Sequence, residues 1–344
     1  MPLRRRRLIV GATIAALSAP GLSACSSSTD PQVRLGYFPN LTHATAIIGI
    51  DRGYFEAVLK GDNASLTTQT FNSGSDTVSA LLSGGLDATF IGPSPALTAF
   101  VQSHGSAVRI VSGAASGGAA LVVQPNISSI AQLKGQKVAT PGLGNTQDVA
   151  ARYYFKSKGF TTDQNGGGDI SIVPQDNSVT LQAFQQKQIA GAWVPEPYAS
   201  LLVHDGGKVL VNESSLWPQG RFVTTQLLVR TQFLKDHPNL VADLVKATVQ
   251  ANQFINAHSD QAKTIVGEQL VKLTQSKLAA SVLTSAWGNL TFTDDPLAST
   301  LSRDAKHAES VGLLSDVPPV SGLYDLSPLN NVLKSMGKPE VATP

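Results

Sequence analysis

The chain has 344 residues, of which 42% are hydrophobic and 15% are charged. This length and composition predict a globular chain with two domains or two lobes, and they exclude a disordered chain. The net charge is +2, but Arg4 to Arg7 are four of the 26 basic residues, so residues 25–344 carry 22 basic and 24 acidic side chains. This balance argues against electrostatic binding of nucleic acid. A single cysteine, Cys25, excludes a disulfide within the chain.

Residues 1–24 have the features of an export signal peptide. Four arginines precede an apolar run from Leu8 to Leu17, which is too short to span a bilayer. The segment from Leu22 to Cys25 resembles the bacterial lipobox, in which diacylglycerol alkylates the cysteine and the chain is cleaved before it. The resemblance implies that Cys25 is lipidated, that residues 25–31 form a tether, and that the protein is held at the extracytoplasmic face of the cell membrane. A plain secretory signal is the alternative, and the arginines fit either the general or the twin-arginine export route.

Strand and helix patterns alternate from Gln32 onward, which predicts α/β architecture with mostly parallel sheets. In the first unit the predicted strands are 33–37, 66–71, 87–91 and 108–112, and the predicted helices are 42–52, 76–83 and 95–102. In the second unit, which begins after an extended segment at 119–124, the strands are 137–140, 170–173, 190–194 and 208–211, and the helices are 146–158, 178–186 and 195–204. After an extended segment at 222–230, helices are predicted at 231–237, 238–258, 259–267, 274–287, 296–311 and 327–337.

The extended segments at 119–124 and 222–230 bracket the second unit, so the chain is expected to cross between two lobes and return. We expect the first lobe to comprise residues 32–121 and, with the C-terminal helices, 225–337. The second lobe is expected at 122–224 and a tail at 338–344. This is the layout of a hinged, two-lobe ligand clamp.

Three loops, 73–76, 92–95 and 142–146, each follow a predicted strand and begin a helix. Such turns present unpaired backbone N–H groups and the positive end of a helix dipole, which suit a small oxyanion. Taken singly, each loop could be an ordinary helix N-cap. Their coincidence at strand ends, where α/β folds bind ligands, favours an anion site between the lobes.

Five segments together carry a family resemblance. Arg34–Ala44 (RLGYFPNLTHA) and Gly49–Phe55 (GIDRGYF) resemble the opening of the extracytoplasmic binding proteins of ABC importers for aliphatic sulfonates, taurine and nitrate. Ala80–Asp87, Leu133–Ala139 and Trp193–Tyr198 are similar to later segments of that family, so the resemblance spans residues 33–333. It implies a two-lobe type II periplasmic-binding-protein fold, each lobe a mostly parallel sheet flanked by helices, with the ligand cleft between the lobes.

The resemblance further implies a monomeric substrate-binding lipoprotein that delivers a small organic anion to the permease and ATPase subunits of an importer. An aliphatic sulfonate is the favoured ligand, and nitrate, bicarbonate and taurine are the alternatives. The implied ligand-binding residues are Asn40, Thr42, His43, Ser73, Gly74, Ser75, Pro93, Ser94, Asn145, Thr146, Trp193 and Glu196. Arg221 is added as a charge partner from its position at the second crossing, and Phe38, Leu41 and Trp193 are expected to form an apolar wall. Glu196 suits an anion site only if it lies outside the pocket or meets an amino group, which leaves room for taurine.

Catalysis is the weaker hypothesis. Residues 92–96 (GPSPA) half resemble the nucleophile elbow of hydrolases, but Ala96 replaces the last glycine and the sequence suggests no His–Asp partnership. The six histidines show no metal-ligand spacing, and a single cysteine excludes the cysteine cluster of a related branch that makes the thiamine pyrimidine. We expect no cofactor, no metal and no enzyme activity. A structural or adhesive lipoprotein remains an alternative.

Overall fold

The structure is a computed structural model that describes residues 31–343. The predicted signal peptide, the lipidation site at Cys25 and all but the last residue of the tether lie outside the described residues. Within residues 31–343, no helix combines the length and the apolar character needed to cross a membrane.

The strands belong to two separate sheets. They are β1 (Gln32–Tyr37), β2 (Ser65–Thr70), β3 (Ala88–Ile91), β4 (Val108–Gly117), β5 (Ala119–Val123), β6 (Lys137–Thr140), β7 (Ser171–Pro174), β8 (Gly191–Pro195), β9 (Lys208–Asn212), β10 (Val223–Arg230) and β11 (Leu290–Phe292). The first sheet has the order β11-β4-β10-β3-β1-β2, and the second has the order β7-β6-β8-β5-β9.

The helices cover the faces of these sheets. They are α1 (Ala44–Asp51), α2 (Tyr54–Leu59), α3 (Gly74–Leu82), α4 (Pro93–Gln102), α5 (Thr146–Ser157), α6 (Asn177–Gln185), α7 (Tyr198–His204), α8 (Thr231–Asp236), α9 (Pro238–Ala257), α10 (Ser259–Thr274), α11 (Ala280–Gly288), α12 (Ala298–Ser310) and α13 (Ser327–Ser335). A 3-10 turn at Leu41–His43 leads directly into α1.

Both sheets are mixed rather than mostly parallel as predicted. In the first sheet β1 pairs in parallel with β2 and β3, whereas β10 runs antiparallel between β3 and β4. In the second sheet β6 is parallel to β7 and β8, whereas β5 is antiparallel to β8 and β9. The mixed pairing follows from the double crossing of the chain. β5 enters the second sheet antiparallel to β8, and β10 returns to the first sheet antiparallel to β3.

The two crossings lie side by side. The chain leaves the first sheet at Gly117 and Gly118, whose φ angles of 81° and 72° lie in the left-handed region that favours glycine. The Gly117 N–H donates to Phe222 O at 3.2 Å, and Thr224 Oγ1 donates to Gly117 O at 2.5 Å. β4 ends at Gly117 and β5 pairs in the second sheet from Ala119 onward, so the chain passes from one sheet to the other within two residues.

The core is divided between the faces of each sheet. The long helix α9 has apolar residues at the helical spacing of Leu240, Val241, Leu244 and Val245, all of them buried against one face of the first sheet. Helices α3, α4 and α12 cover the opposite face. The second sheet has its own two clusters, one built around Trp193 and Phe155 and the other around Phe184 and Val194. Each sheet therefore has an independent core, and the ends of their strands face each other.

Candidate functional site

A cavity of about 40 Å³ lies where the strand ends of the two sheets meet. Its walls come from the segments that follow β1, β2, β3, β6 and β7, from the end of β8 and from the start of β10. We call it the cleft cavity. Five of the predicted ligand-binding residues line it: Asn40, Thr42, His43, Asn145 and Thr146. Phe38 also lines it, as do Gly92 and Pro95 from the predicted loop 92–95. Six further lining residues were not expected from the sequence: Asn72, Pro141, Gln147, Asn177, Pro195 and Thr224.

The first sheet contributes side-chain donors that carry no charge. Thr42 Oγ1 donates to Asn40 Oδ1 at 2.5 Å, which leaves the amide NH₂ of Asn40 available to a ligand. The His43 ring stacks on Phe38 at 4.6 Å, and its Nδ1 accepts from the Phe38 N–H at 3.2 Å. Burial lowers the pKa of His43 to about 3, so the ring is neutral and its proton lies on Nε2. His43 therefore presents a neutral N–H donor to the cavity.

The second sheet contributes the start of α5. The N–H groups of Thr146 and Gln147, the first two residues of α5, find no hydrogen-bond acceptor within the described part of the chain. Both residues line the cavity and are about 7% and 6% exposed. Unpaired N–H groups at a helix start are the feature that binds small anions, and the helix dipole strengthens them.

Asn145 joins the two sheets directly. Its Oδ1 accepts the backbone N–H of Gly74, the first residue of α3, at 3.1 Å and does not cap its own helix. Gly92 is equally constrained, because a Cβ there would lie 2.5 Å from Thr146 Oγ1. The cavity is thus closed by contacts between residues of opposite sheets.

Two of the three predicted anion loops contribute less than expected. In the loop before α4, Pro93 and Pro95 have no N–H, and Ser94 Oγ donates to Asp304 Oδ2 at 2.7 Å, away from the cavity. In the loop before α3, Ser73 Oγ accepts from the Asp76 N–H at 3.3 Å as an N-cap and lies 3.0 Å from Ser75 Oγ. Neither loop therefore presents a free hydroxyl to the cavity, and Gly74 takes part only through Asn145.

Trp193, Glu196 and Arg221 do not line the cleft cavity, because each has partners elsewhere. Trp193 is fully buried in the core and donates from Nε1 to Glu213 Oε2 at 2.7 Å. Arg221 is exposed and lies 3.7 Å from Asp295. Leu41, expected in the apolar wall with Trp193 and Phe38, is also in the core, so only Phe38 of that wall reaches the cavity.

Glu196 connects the two sheets. It is 2% exposed, and it accepts from the Ser200 N–H and Oγ and from Asn289 Nδ2, the last at 2.7 Å. Burial raises the pKa of Glu196, although the donors from Asn289 and Ser200 favour the carboxylate. This carboxyl group fixes β8 to the segment before β11.

Asn177, at the start of α6, was missed although it follows a strand as the predicted loops do. Its Oδ1 is buried without a partner in the described structure, and the residue lines the cleft cavity. The sequence signal was the pair Asp176-Asn177, two polar capping residues that follow the predicted strand at 170–173 after two intervening residues.

A neighbouring cavity of about 40 Å³ continues from the cleft cavity. The two share Phe38, Asn40, Asn72 and Asn177. The neighbouring cavity adds three further kinds of surface, namely aromatic rings, a carboxylate and small residues: Phe71, Tyr198, Asp176, Pro39 and Ser178. Burial, and then the Asp176 charge, raise the pKa of Tyr198. A ligand longer than the cleft cavity would therefore extend along aromatic surface.

The chain was compared with known proteins. A profile of the NMT1-like family matches residues 26–268. The taurine-binding periplasmic protein of Escherichia coli is 29% identical over 203 residues, which cover 58% of this chain and 61% of that protein. The alkanesulfonate-binding protein of Xanthomonas axonopodis pv. citri, solved bound to MOPS, superposes with a TM-score of 0.70 at 17% identity and covers 87% of this chain and 99% of its own.

The periplasmic nitrate-binding protein of Synechocystis superposes with a TM-score of 0.74 at 15% identity, covering 90% of each chain. The names of these three proteins describe ligand binding and not catalysis, in agreement with the sequence-based expectation. The two superpositions confirm the predicted α/β fold of periplasmic binding proteins. The chain belongs to the NMT1-like family.

Proposed function

We propose that this protein is the solute-binding component of an ABC importer and that it captures an aliphatic sulfonate in the cleft cavity. One observation supports this function most directly. Neutral donors from both sheets converge on the cavity, and among residues 31–343 no charged side chain lines it. The taurine- and alkanesulfonate-binding proteins to which the chain is similar are consistent with such a ligand.

A sulfonate headgroup matches these donors. It is a monoanion that stays ionised at neutral pH, so the site needs hydrogen-bond donors and a positive potential but no general base. Asn40 and His43 on one side and the N–H groups of Thr146 and Gln147 on the other supply them. An anion buried without such donors would be strongly destabilised.

The neighbouring cavity suits the alkyl tail. Phe38, Phe71 and Tyr198 offer aromatic surface there, and each methylene transferred from water to such surface contributes about 0.8 kcal/mol. Nitrate has no tail and would leave this surface unused. Affinity should therefore rise along the alkanesulfonate series.

Asp176 favours a second candidate, an aminosulfonate such as taurine. Its carboxylate lines the neighbouring cavity, where it could accept from an ammonium group two carbons away from a sulfonate held in the cleft cavity. Taurine binding is distinguished from alkanesulfonate binding by whether Asp176 contributes to affinity.

We also propose a lobe arrangement, a hinge and a membrane anchor for this protein. Residues 32–121 and 225–337 would form one lobe and residues 122–224 the other, hinged at the paired crossings. The lobes would close on the ligand through Asn145–Gly74 and Gly92–Thr146. The monomeric protein, anchored through a lipid on Cys25, would then present the ligand to the permease and its ATPase.

Isothermal titration calorimetry with methanesulfonate, ethanesulfonate, butanesulfonate, taurine, nitrate and bicarbonate tests the ligand class. We expect one site per chain and affinity that increases with alkyl length. In His43→Phe, which keeps the ring stack and removes the donor, affinity should fall about 10- to 150-fold, since a hydrogen bond to a charged group contributes about 1.5–3 kcal/mol. His204→Phe, on exposed surface, is the control. Failure of every anion to bind below millimolar concentration would refute the proposed function.

A further inference from the structure

A second and larger pocket lies away from the cleft cavity and shares no lining residue with it. It has a volume of about 510 Å³, within the usual range for small-molecule sites, and is enclosed by α5, α12 and the segment after β9. Aromatic rings of Tyr153, Tyr154 and Trp217 line it, and Glu213 and Asp304 lie among its lining residues. We call it the aromatic pocket.

The two carboxyl groups are almost completely buried and come from opposite sheets. Glu213, just after β9 of the second sheet, is 1% exposed, and Asp304, on α12 against the first sheet, is 4% exposed. Glu213 Oε2 accepts from Trp193 Nε1 at 2.7 Å, and Asp304 Oδ2 accepts from Ser94 Oγ at 2.7 Å. Asp304 Oδ1 has no hydrogen-bond donor within residues 31–343, and neither carboxyl group has a basic partner there. A buried carboxylate in this position is destabilised until a cationic donor reaches it.

The walls of the pocket suit a cation as well. The Tyr153 ring stacks on His307 with ring centres 3.5 Å apart, and Trp217 lies 5.7 Å from the same histidine. Two cations of the protein already lie over aromatic rings at the edges of the pocket, Lys158 over Tyr154 at 5.5 Å and Arg303 over Trp217 at 5.7 Å. Ring faces attract ammonium groups, and the attraction grows as water is excluded.

We propose that the aromatic pocket binds a small organic molecule through a primary ammonium group, which donates to Glu213 and Asp304. Such a ligand would connect the two sheets, because each supplies one of the carboxyl groups. The basic side chains of Lys158, Arg303 and Lys306 also line the pocket, and they favour a ligand whose other end is anionic. An ω-amino acid has this distribution of charge.

The charged surroundings define the pH dependence. Burial raises the pKa of Glu213 to about 7. Hydrogen bonding from Trp193 and Trp217 opposes this shift, and the charge of Asp304 reinforces it. Burial likewise raises the pKa of Asp304 to about 7, opposed only by Ser94. His307, whose pKa is lowered to about 4 by burial and by Arg303, stays neutral. Ammonium binding needs ionised carboxylates, so affinity should fall as pH falls from 8 to 6.

Isothermal titration calorimetry of the protein without its predicted signal peptide, at pH 8, tests the site. The probes are 5-aminovalerate and butylammonium, and pentanoate is the control that has no ammonium group. We expect both ammonium probes to bind with one site per chain, 5-aminovalerate more tightly, and pentanoate not to bind. Glu213→Gln and Asp304→Asn should each weaken binding at least about tenfold. Glu309→Gln is the control, because Glu309 is exposed and lies on α12 as Asp304 does, and this variant should bind the ammonium probes with unchanged affinity. Equal binding of pentanoate, or unchanged affinity in Asp304→Asn, would overturn the proposal.

The pH dependence of butylammonium binding to the unsubstituted protein tests the site even if a variant does not fold. The affinity for butylammonium should fall about tenfold or more between pH 8 and pH 6, and a flat profile would contradict the proposal. A butanesulfonate titration of the same samples tests the cleft cavity independently of the aromatic pocket. Sulfonate binding without ammonium binding would overturn only the aromatic pocket, and the reverse would overturn only the proposed function.

Discussion

Substituting Gly92 with alanine should prevent the two sheets from meeting at the cleft cavity. The added Cβ would lie 2.5 Å from Thr146 Oγ1, a distance that Cβ atoms essentially never show, while Thr224 O and Thr146 Cβ are in ordinary contact at 3.5 and 3.6 Å. Only Thr146 Oγ1 clashes, and Thr146 lies on α5, which follows β6 of the second sheet, whereas Gly92 follows β3 of the first sheet. The least costly relief is therefore a small opening between the sheets, which separates the donors of Thr146 and Gln147 from those of Asn40 and His43.

The magnitude follows from the usual cost of overpacking, about 1–3 kcal/mol. If this cost applies only to the closed form, ligand affinity should fall roughly 5- to 150-fold while the stability of each sheet changes little. Calorimetry with butanesulfonate measures the first quantity and thermal unfolding measures the second. Gly61→Ala is a matched control, because a Cβ there meets nothing within 4 Å.

A second substitution tests the cause. Thr146→Ala removes the clashing Oγ1 and keeps the backbone N–H, so Gly92→Ala should weaken binding much less in the Thr146→Ala background than in the unsubstituted protein. Equal losses in both backgrounds would refute the reasoning, because the clash would then not be what weakens binding. A large loss of thermal stability in Gly92→Ala alone would refute it as well.

Three further predictions concern other parts of the molecule. Asp176→Asn should weaken taurine binding and leave ethanesulfonate binding unchanged if the ligand is an aminosulfonate; equal effects on both in calorimetry would exclude that role. Arg152→Met should lower the free energy of unfolding by about 3–5 kcal/mol, because it leaves the buried partner Asp148 uncompensated, whereas Lys263→Met at an exposed pair should change it by less than about 1 kcal/mol in urea denaturation. Cys25→Ser should release the protein from the membrane fraction, since the acyl chains would be lost; unchanged fractionation would contradict lipidation.

The sequence located many of the elements, because apolar periodicity and capping residues are local signals. It was wrong on three bounds: β4 runs to Gly117 rather than ending at residue 112, α10 runs to Thr274 rather than 267, and α11 begins at Ala280 rather than 274. The β6 strand at Lys137–Thr140 has the predicted bounds, and α5 and α9 differ by one residue at their C-terminal ends. The short helix α2 and the three-residue strand β11 were missed, because neither is long enough to show a period. The insertion of β10 between β3 and β4 depends on pairing across more than 100 residues, which no local pattern encodes.

For the site as well, residues with local signals reach the cavity as predicted, and residues held by distant partners do not. Asn40, Thr42, His43, Asn145 and Thr146, which the family resemblance implied, lie next to strand ends and line the cavity, and Asn145 and Thr146 also belong to a loop predicted from its position. Trp193, Glu196 and Arg221 do not reach the cavity, because Glu213, Asn289 and Asp295 hold them, and these partners are distant in the sequence. The sequence partly indicated that Pro93 and Ser94 contribute little to anion binding, since proline has no backbone N–H that could donate to an anion.

Backbone N–H groups at the start of α5 and neutral donors after β1 are proposed to hold the anion. NMR chemical shifts of the isotopically labelled protein, followed during a butanesulfonate titration, show whether these groups bind it. We expect saturable downfield shifts of the Thr146 and Gln147 amide protons and of the His43 Nε2–H, with little change near Arg221. Shifts at Arg221 without any at Thr146 and Gln147 would contradict this proposal.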